Sequence, residues 1–369
     1  MNQQAPVVPR PSDEAAVPGD TSPARPVILE FPGGGDSYTD LFCPALAAQG
    51  ATVVPGVYSG RWLLKNLRDA DFVHIHWPSF LYADHSALAT LHKAARLTAF
   101  LLLIRAFGVR IIWTAHNLYP HERNSPRWID YAMRRLVVWL SYRVLVHGRT
   151  AAAIVREEFG IRPDKLVCIH HGHYVGRYPM DVSREQARQR LGLPADASVF
   201  AFVGHCRRYK NVTELIDTFQ KHFPDSWLII AGRCADRAYQ AEIEARIRAN
   251  PRGILFEPRF IDDGELQYFL RAADAVVLPF LDILTSGSAI LALSFGRPVV
   301  APRRGNLIDI VNDEMGVLYD PDDPAGLPKA MRAALERRFD QDRIMKYATA
   351  WRWDETAAKV LAALQGTSK

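Results

Sequence analysis

Cysteine is scarce in this chain of 369 residues: Cys43, Cys168, Cys206 and Cys234 are widely scattered, with no Cys-x-x-Cys pair. That spacing excludes a disulfide framework and a cysteine-based zinc module, and it suits a reducing cytoplasm. No unbroken apolar run approaches the roughly 20 residues of a membrane-spanning helix. The best, 97–104, is interrupted by Thr98, so the expectation is a chain that does not span a membrane. Residues 1–26 lack the apolar centre of a signal peptide and are rich in Pro, Ala, Ser, Asp and Glu, and they read as a disordered tail. Charge of one sign is not in large excess either. A formal net charge of +5 gives no argument for a nucleic-acid partner. Gly-x-Gly-x-x-Gly at a strand–helix junction is missing too, Gly33-Gly34-Gly35 being the nearest approach, which argues against a dinucleotide oxidoreductase.

What is present is a globular composition, 49% hydrophobic and 23% charged, in a chain longer than one core usually supports. Short apolar runs read as strands at 27–31, 52–54, 72–77, 109–114, 143–147 and 165–169, alternating with helical patterns at 86–107, 128–141 and 151–159. After a linker-like stretch at 170–198 the alternation resumes, with strands at 199–203, 227–231, 254–257, 275–278 and 298–301. The expected fold is α/β, two Rossmann-like doubly wound domains facing a cleft, over 27–175 and 176–350, with a closing segment at 351–369. Ligands of such sheets bind outside the carboxyl ends of the strands.

The chemistry-bearing residues fall at those ends. The strand at 199–203 ends in Gly204, and His205-Cys206-Arg207-Arg208-Tyr209-Lys210-Asn211 leads into a helix. A glycine admits a ligand to the backbone, and a cation before a helix suits a diphosphate. Further on, Thr285-Ser286-Gly287-Ser288 opens a helix whose free N–H groups and positive dipole end would cradle the same group. In the first half, the strand at 109–114 runs into His116-Asn117-Leu118-Tyr119-Pro120-His121-Glu122, and Asp36 follows the first glycine turn. His74 and His76 share one face of a strand, but no third metal ligand is visible at suitable spacing, so no metal site is expected. Asp69-Ala70-Asp71 precedes its strand and so sits at the wrong end of the sheet for a site.

Gly204 to Asn211, together with Ala273-Asp274-Ala275-Val276-Val277-Leu278-Pro279-Phe280 and Gly296-Arg297-Pro298-Val299-Val300-Ala301, resembles the donor half of GT-B glycosyltransferases of family 4. The resemblance implies a nucleotide sugar as co-substrate, no cofactor, and a donor site comprising Gly204, Arg207 or Arg208, Lys210, Arg259 with Phe260, the turn 285–288, and Asp309, with His173 also in reach. His205 stands where an Arg is usual, and Trp351-Arg352-Trp353-Asp354 with the amphipathic pattern to Leu364 resembles the family's C-terminal helix, which implies that 351–369 crosses back to the first domain. Two family glutamates eight positions apart fall, counting back from Gly296, on Ile283 and Leu291. Losing both points away from retention and toward a smaller bacterial group, including xanthan-type β-mannosyltransferases, which is associated with inversion.

An inverting enzyme needs one base on the acceptor hydroxyl. Glu122 and Asp36 are the candidates, with His116 as a substrate contact. The implied reaction moves a hexose, mannose from GDP-mannose before glucose or glucuronate from UDP-sugars, to a lipid-linked saccharide. Basic residues interleaved with aromatic ones over 93–143, among them Arg127, Trp128, Tyr131, Arg134, Arg135 and Trp139, suit contact with an anionic membrane surface from the cytoplasmic side. Ordinary helices with solvated arginines give the same pattern. Two alternatives remain: a non-catalytic nucleotide-sugar or lipid-carrier binder, and a transferase with a soluble acceptor.

Overall fold

The computed structural model describes residues 25–120 and 126–365. The first sheet contains β1 (Val27–Phe31), β2 (Thr52–Pro55), β3 (Phe72–Ile75), β4 (Arg110–Thr114), β5 (Ser141–His147) and β6 (Leu166–Ile169), in the order β2-β1-β3-β4-β5-β6. The second contains β7 (Ser198–Val203), β8 (Ser226–Ala231), β9 (Ile254–Glu257), β10 (Ala275–Val277), β11 (Val299–Pro302) and β12 (Gly316–Tyr319), in the order β12-β11-β10-β7-β8-β9. Every pairing is parallel. Parallel strands are covered on both faces, which is why β4, β7 and β8 read as nearly continuous apolar runs. The expected two-domain α/β fold is the one observed.

One face of the first sheet packs helices Ala87–Ala106 and Arg127–Leu140, burying Leu97, Leu101, Ile104, Met133 and Val137 against Val73, Ile111 and Trp113. The 20-residue helix Ala87–Ala106 has a mean hydropathy of 1.4, long and apolar enough by composition to cross a membrane. Its apolar residues form no single unbroken run, so the sequence expectation of no spanning segment did not register it. This helix interleaves its apolar residues with His92, Lys93 and Arg96, and its buried side is core. Arg134, taken from the sequence as part of a surface stripe, is fully buried: it lies 5.5 Å over the Trp113 ring and donates to Asn117 Oδ1 at 3.4 Å.

The opposite face is covered by helix Thr39–Ala48 and by the last helix, Trp353–Gln365. Ala357, Val360, Leu361 and Leu364 meet Phe42, Leu46, Ile112 and Leu145 there, so the end of the chain completes the core of the first domain. Trp353 Nε1 donates to His173 O at 2.7 Å and Thr356 Oγ1 to His170 O at 3.1 Å. Gly172 lies so close to the Trp353 indole that a Cβ has no room.

Candidate active site

The two domains face each other across their strands' carboxyl ends, and the walls enclose two joined cavities of about 550 and about 320 Å³. These are ordinary volumes for a small-molecule site. Ser37, Tyr174, His205, Lys210 and Gly287 line both.

The second domain supplies the cationic wall. Gly204 has φ of 134°, and a Cβ there would lie 3.2 Å from Lys210 Nζ and 3.4 Å from Ser288 Oγ, so the absent side chain is what leaves this approach open. Lys210 is buried, with Phe202 and Phe280 5.8 and 5.7 Å from its ammonium, and among the described residues no carboxylate pairs with it. Burial, and then repulsion from Arg207, lowers its pKa to about 8. Ser286 caps helix Gly287–Ser294 by accepting from Ala289 N at 3.1 Å. Thr285 Oγ1 lines the larger cavity and has no hydrogen-bond partner among the described residues. A buried ammonium at Lys210, the neighbouring Arg207, a helix N-terminus and the Thr285 hydroxyl together make an anion site.

The first domain supplies a row of imidazoles, because five of its six strands carry Glu or His at or just beyond their carboxyl ends. Glu30 on β1, His74 and His76 at the end of β3, His116 after β4, His147 closing β5 and His171 after β6 step along the carboxyl edge of adjacent strands. Ring centroids are 5.3 Å apart for His76–His116 and His116–His147, and 5.4 Å for His147–His171, close to the spacing of neighbouring strands. Tyr38 lies against four of these rings, nearest to His116 at 4.7 Å. His116 is stacked on Trp77 at 4.3 Å.

Glu30 is fully buried, and its oxygens meet His74 Nδ1 at 3.0 Å and His76 Nε2 at 2.9 Å. Burial alone would raise this carboxyl; the attraction and hydrogen bonds of the two histidines outweigh it and hold the pKa at about 2. Burial keeps His74 below its ordinary value, and burial with repulsion from neighbouring histidines keeps His116 and His147 well below it. His74, His116, His147 and His171 are therefore held as neutral imidazoles beside one anion. Glu30 is the third donor that the sequence spacing of His74 and His76 does not reveal, since it comes from the adjacent strand in register with His74. The three donor atoms lie within 4.8 Å of one another, a grouping of metal-binding type. Here each imidazole satisfies one carboxylate oxygen.

Of the residues singled out in the sequence, Asp36, His116, Gly204, Arg207, Lys210, Thr285, Gly287, Ser288 and Phe260 line one cavity or the other. Asp36 is occupied: its Oδ1 accepts from Tyr38 N and Thr39 N at 2.9 and 3.1 Å, and Oδ2 accepts from Thr39 Oγ1 at 2.8 Å. Glu122 and His121 lie outside the described residues. Arg208 turns away to Asp236 and Glu242, and Arg259 to Glu257 and Glu265. His173 is bound through its backbone to Trp351 and Trp353. Asp309 faces the first domain, where it accepts from Thr150 N and Thr150 Oγ1, both at 2.8 Å. Ile283 and Leu291 do line the larger and the smaller cavity, so apolar side chains stand where the resemblance expects carboxylates. Glu30 and His147 were missed as site residues. The available signal was a single charge inside the apolar run Val27–Phe31.

Two facing parallel domains with an anion site between them define a GT-B glycosyltransferase. Residues 183–351 match the family described as Glycosyl transferases group 1. The chain is 30% identical over 290 residues to the GDP-mannose:glycolipid 4-beta-D-mannosyltransferase of Xanthomonas campestris pv. campestris, covering 76% of this chain and 75% of that one. It is 28% identical over 278 residues to a D-inositol 3-phosphate glycosyltransferase of Geodermatophilus obscurus, with 70% and 61% covered. Among solved structures, sucrose-phosphate synthase of Thermosynechococcus elongatus superposes with a TM-score of 0.71 at 17% identity, covering 92% of this chain and 98% of that one. Anabaena HepE in complex with UDP-glucose gives 0.67 at 15%, covering 91% and 99%. The protein belongs to the group 1 glycosyltransferases.

Proposed function

We propose that the protein transfers mannose from GDP-mannose to a lipid-linked saccharide in exopolysaccharide or glycolipid synthesis, with inversion and without a metal ion. The observation that carries the reading is the 30% identity to the glycolipid mannosyltransferase, which extends over 290 residues and so over both domains. Ile283 and Leu291 support inversion, because neither apolar side chain can act on the sugar as a carboxylate does. In this scheme a base of the first domain activates the acceptor, while Lys210, Arg207 and the N-terminus of helix Gly287–Ser294 stabilise the departing diphosphate. The test is GDP release from GDP-mannose with a synthetic phytanyl-diphosphate oligosaccharide, run beside UDP-glucose and UDP-glucuronate. Turnover with GDP-mannose and a β-linked product by NMR are expected. UDP-sugar turnover alone would move the donor, an α-linked product would restore retention, and no turnover with any donor would leave a binding protein.

We also propose that the enzyme works at the cytoplasmic membrane surface. Along helix Arg127–Leu140, Trp128 (64% exposed), Tyr131 (44%) and Trp139 (72%) form an outward stripe with Arg135. Two grooves beside Trp139 add Arg105, Arg143, Arg162 and Lys165. Exposed indoles among cations suit an anionic interface. Liposome flotation should recover wild type with phosphatidylglycerol vesicles and lose it in Trp128→Ser/Arg135→Glu/Trp139→Ser; wild type failing to float would favour a soluble acceptor.

A further inference from the structure

We propose that Glu30, His76 and His116 form a proton relay that serves as the base of the transfer, with His116 taking the proton of the acceptor hydroxyl. The inference rests on the transferase reading above. Its starting point is a continuous chain of short contacts: Glu30 Oε2 to His76 Nε2 at 2.9 Å, and His76 Nδ1 to His116 Nε2 at 3.0 Å. Glu30 and His76 are buried, whereas His116 lines the larger cavity, so the chain leads from a closed carboxylate to the space where substrate sits.

The tautomers follow from the partners. A carboxylate only accepts, so His76 carries its proton on Nε2 and offers the Nδ1 lone pair to His116. His116 must then donate from Nε2, which leaves its Nδ1 with the free lone pair. His74 is fixed in the same way, donating from Nδ1 to Glu30 and accepting at Nε2 from the Thr114 hydroxyl at 2.8 Å. The aromatic faces of Trp77 and Tyr38 hold the His116 ring, at 4.3 and 4.7 Å.

Held low by desolvation and by the neighbouring imidazoles, the half-buried His116 is a reluctant cation, and that is the reason a relay helps. When His116 Nδ1 takes the hydroxyl proton, its Nε2 proton passes to His76 Nδ1, and the positive charge comes to rest 2.9 Å from the Glu30 carboxylate. As the acceptor O–H bond breaks, the new oxygen–carbon bond to the sugar forms. The sugar–phosphate bond breaks at the same time, and its electron pair leaves with the diphosphate toward Lys210. The proton returns to water when product departs. Around His116 the other titratable neighbours are Tyr38, His147, His171 and His74, and the cavity it lines also holds Asp36, Tyr174, His205, Arg207, Tyr209 and Lys210. Asp36 cannot take this part readily, since its carboxylate already accepts three hydrogen bonds.

The experiment has two arms. Two-bond couplings in ¹⁵N-histidine NMR report tautomers without any substrate: Nδ1–H for His74 and Nε2–H for His76 and His116 are expected, and the reverse assignment, or a stoichiometric metal on the purified protein, overturns the relay. In the kinetic arm, GDP-mannose and the phytanyl-diphosphate oligosaccharide are used with His116→Ala, His76→Phe and Glu30→Gln, each checked for an unchanged circular dichroism spectrum. At least a hundredfold loss of kcat is expected for His116→Ala, partly restored by free imidazole, and at least tenfold for the other two, with KM for donor within threefold. Turnover needs the unprotonated relay and falls as pH drops. Removing the Glu30 charge weakens the hold on the proton, so the acid limb of Glu30→Gln moves to lower pH while its plateau falls. A kcat within twofold of wild type in His116→Ala, or an unmoved limb in Glu30→Gln, sinks the proposal. If wild type turns over no donor at all, the transferase reading fails, and the tautomers still decide whether the hydrogen-bonded chain exists.

Discussion

Lys210 is the residue whose chemistry is most exposed to pH. Its ammonium is buried and unpaired among the described residues, and its pKa is lowered to about 8, so it is charged at pH 7 and loses its proton as pH rises through that value. A bound diphosphate favours the charged form and carries the transition upward. Calorimetric affinity for a nucleoside diphosphate should therefore hold from pH 6.5 to 7, begin to decline near pH 8 and fall several-fold by pH 9.5. Lys210→Met should lower affinity at pH 7 by tenfold or more, the loss of a charged hydrogen bond worth about 1.5–3 kcal/mol, and should abolish the pH dependence. The cationic half of this site was legible in the sequence, because Gly204, Lys210 and the turn 285–288 each sit beside a strand or helix end that spacing reveals. The imidazole half was not. Glu30 sits one residue from the end of β1, 44 residues before His74, and only the pairing of β1 with β3 brings the two together.

At the scale of elements, the contact between Asp309 and helix Arg149–Phe159 has a structural meaning that the sequence concealed. The residue preceding that helix is Gly148, with φ of 101°, and no side chain of its own helix caps the N-terminus. Asp309, from the other domain, accepts from Thr150 N and from Thr150 Oγ1, and thus caps a helix 159 residues away in sequence. Its carboxylate fills the space a Cβ on Gly148 would need. Asp309→Ala should cost about 1 kcal/mol, the usual value of a lost N-cap, read as a lower urea midpoint at unchanged slope. Gly148→Ala should cost more, since it strains the backbone and expels the cap. A motif in the second domain could be matched from sequence, but a cap supplied across a domain boundary has no local signature. The same limit explains β12, four residues beginning at Gly316, whose place as an edge strand depends on its pairing with β11.

For the whole molecule, the return of the chain to its first domain ties the two halves together through packing as well as through the covalent linker. Helix Trp353–Gln365 buries Ala357, Val360, Leu361 and Leu364 on the first sheet, while the residues just before it belong to the core of the second. Trp353 stands at the junction. Its indole packs against Tyr38 at 5.1 Å and His171 at 5.4 Å, and its N–H holds the interdomain segment at His173. Tyr38 and His171 line the larger cavity, so the helix that closes the fold also supports the imidazole row from behind. Removing residues 353–369 would expose a continuous apolar face of the first sheet, and the truncated chain should precipitate or unfold non-cooperatively. Trp353→Ala is the finer probe. It removes a large half-buried side chain that Gly172 is shaped to admit, and a loss of about 3 kcal/mol is expected, toward the low end for large-to-small changes because the site is only partly enclosed. If the helix supports the site as well as the core, kcat per folded molecule should fall in Trp353→Ala by more than it does in Leu364→Ala. The latter destabilises the same helix far from the histidines. Equal residual activity in the two variants, at equal loss of stability, would mean that the helix stabilises the domain without shaping the site.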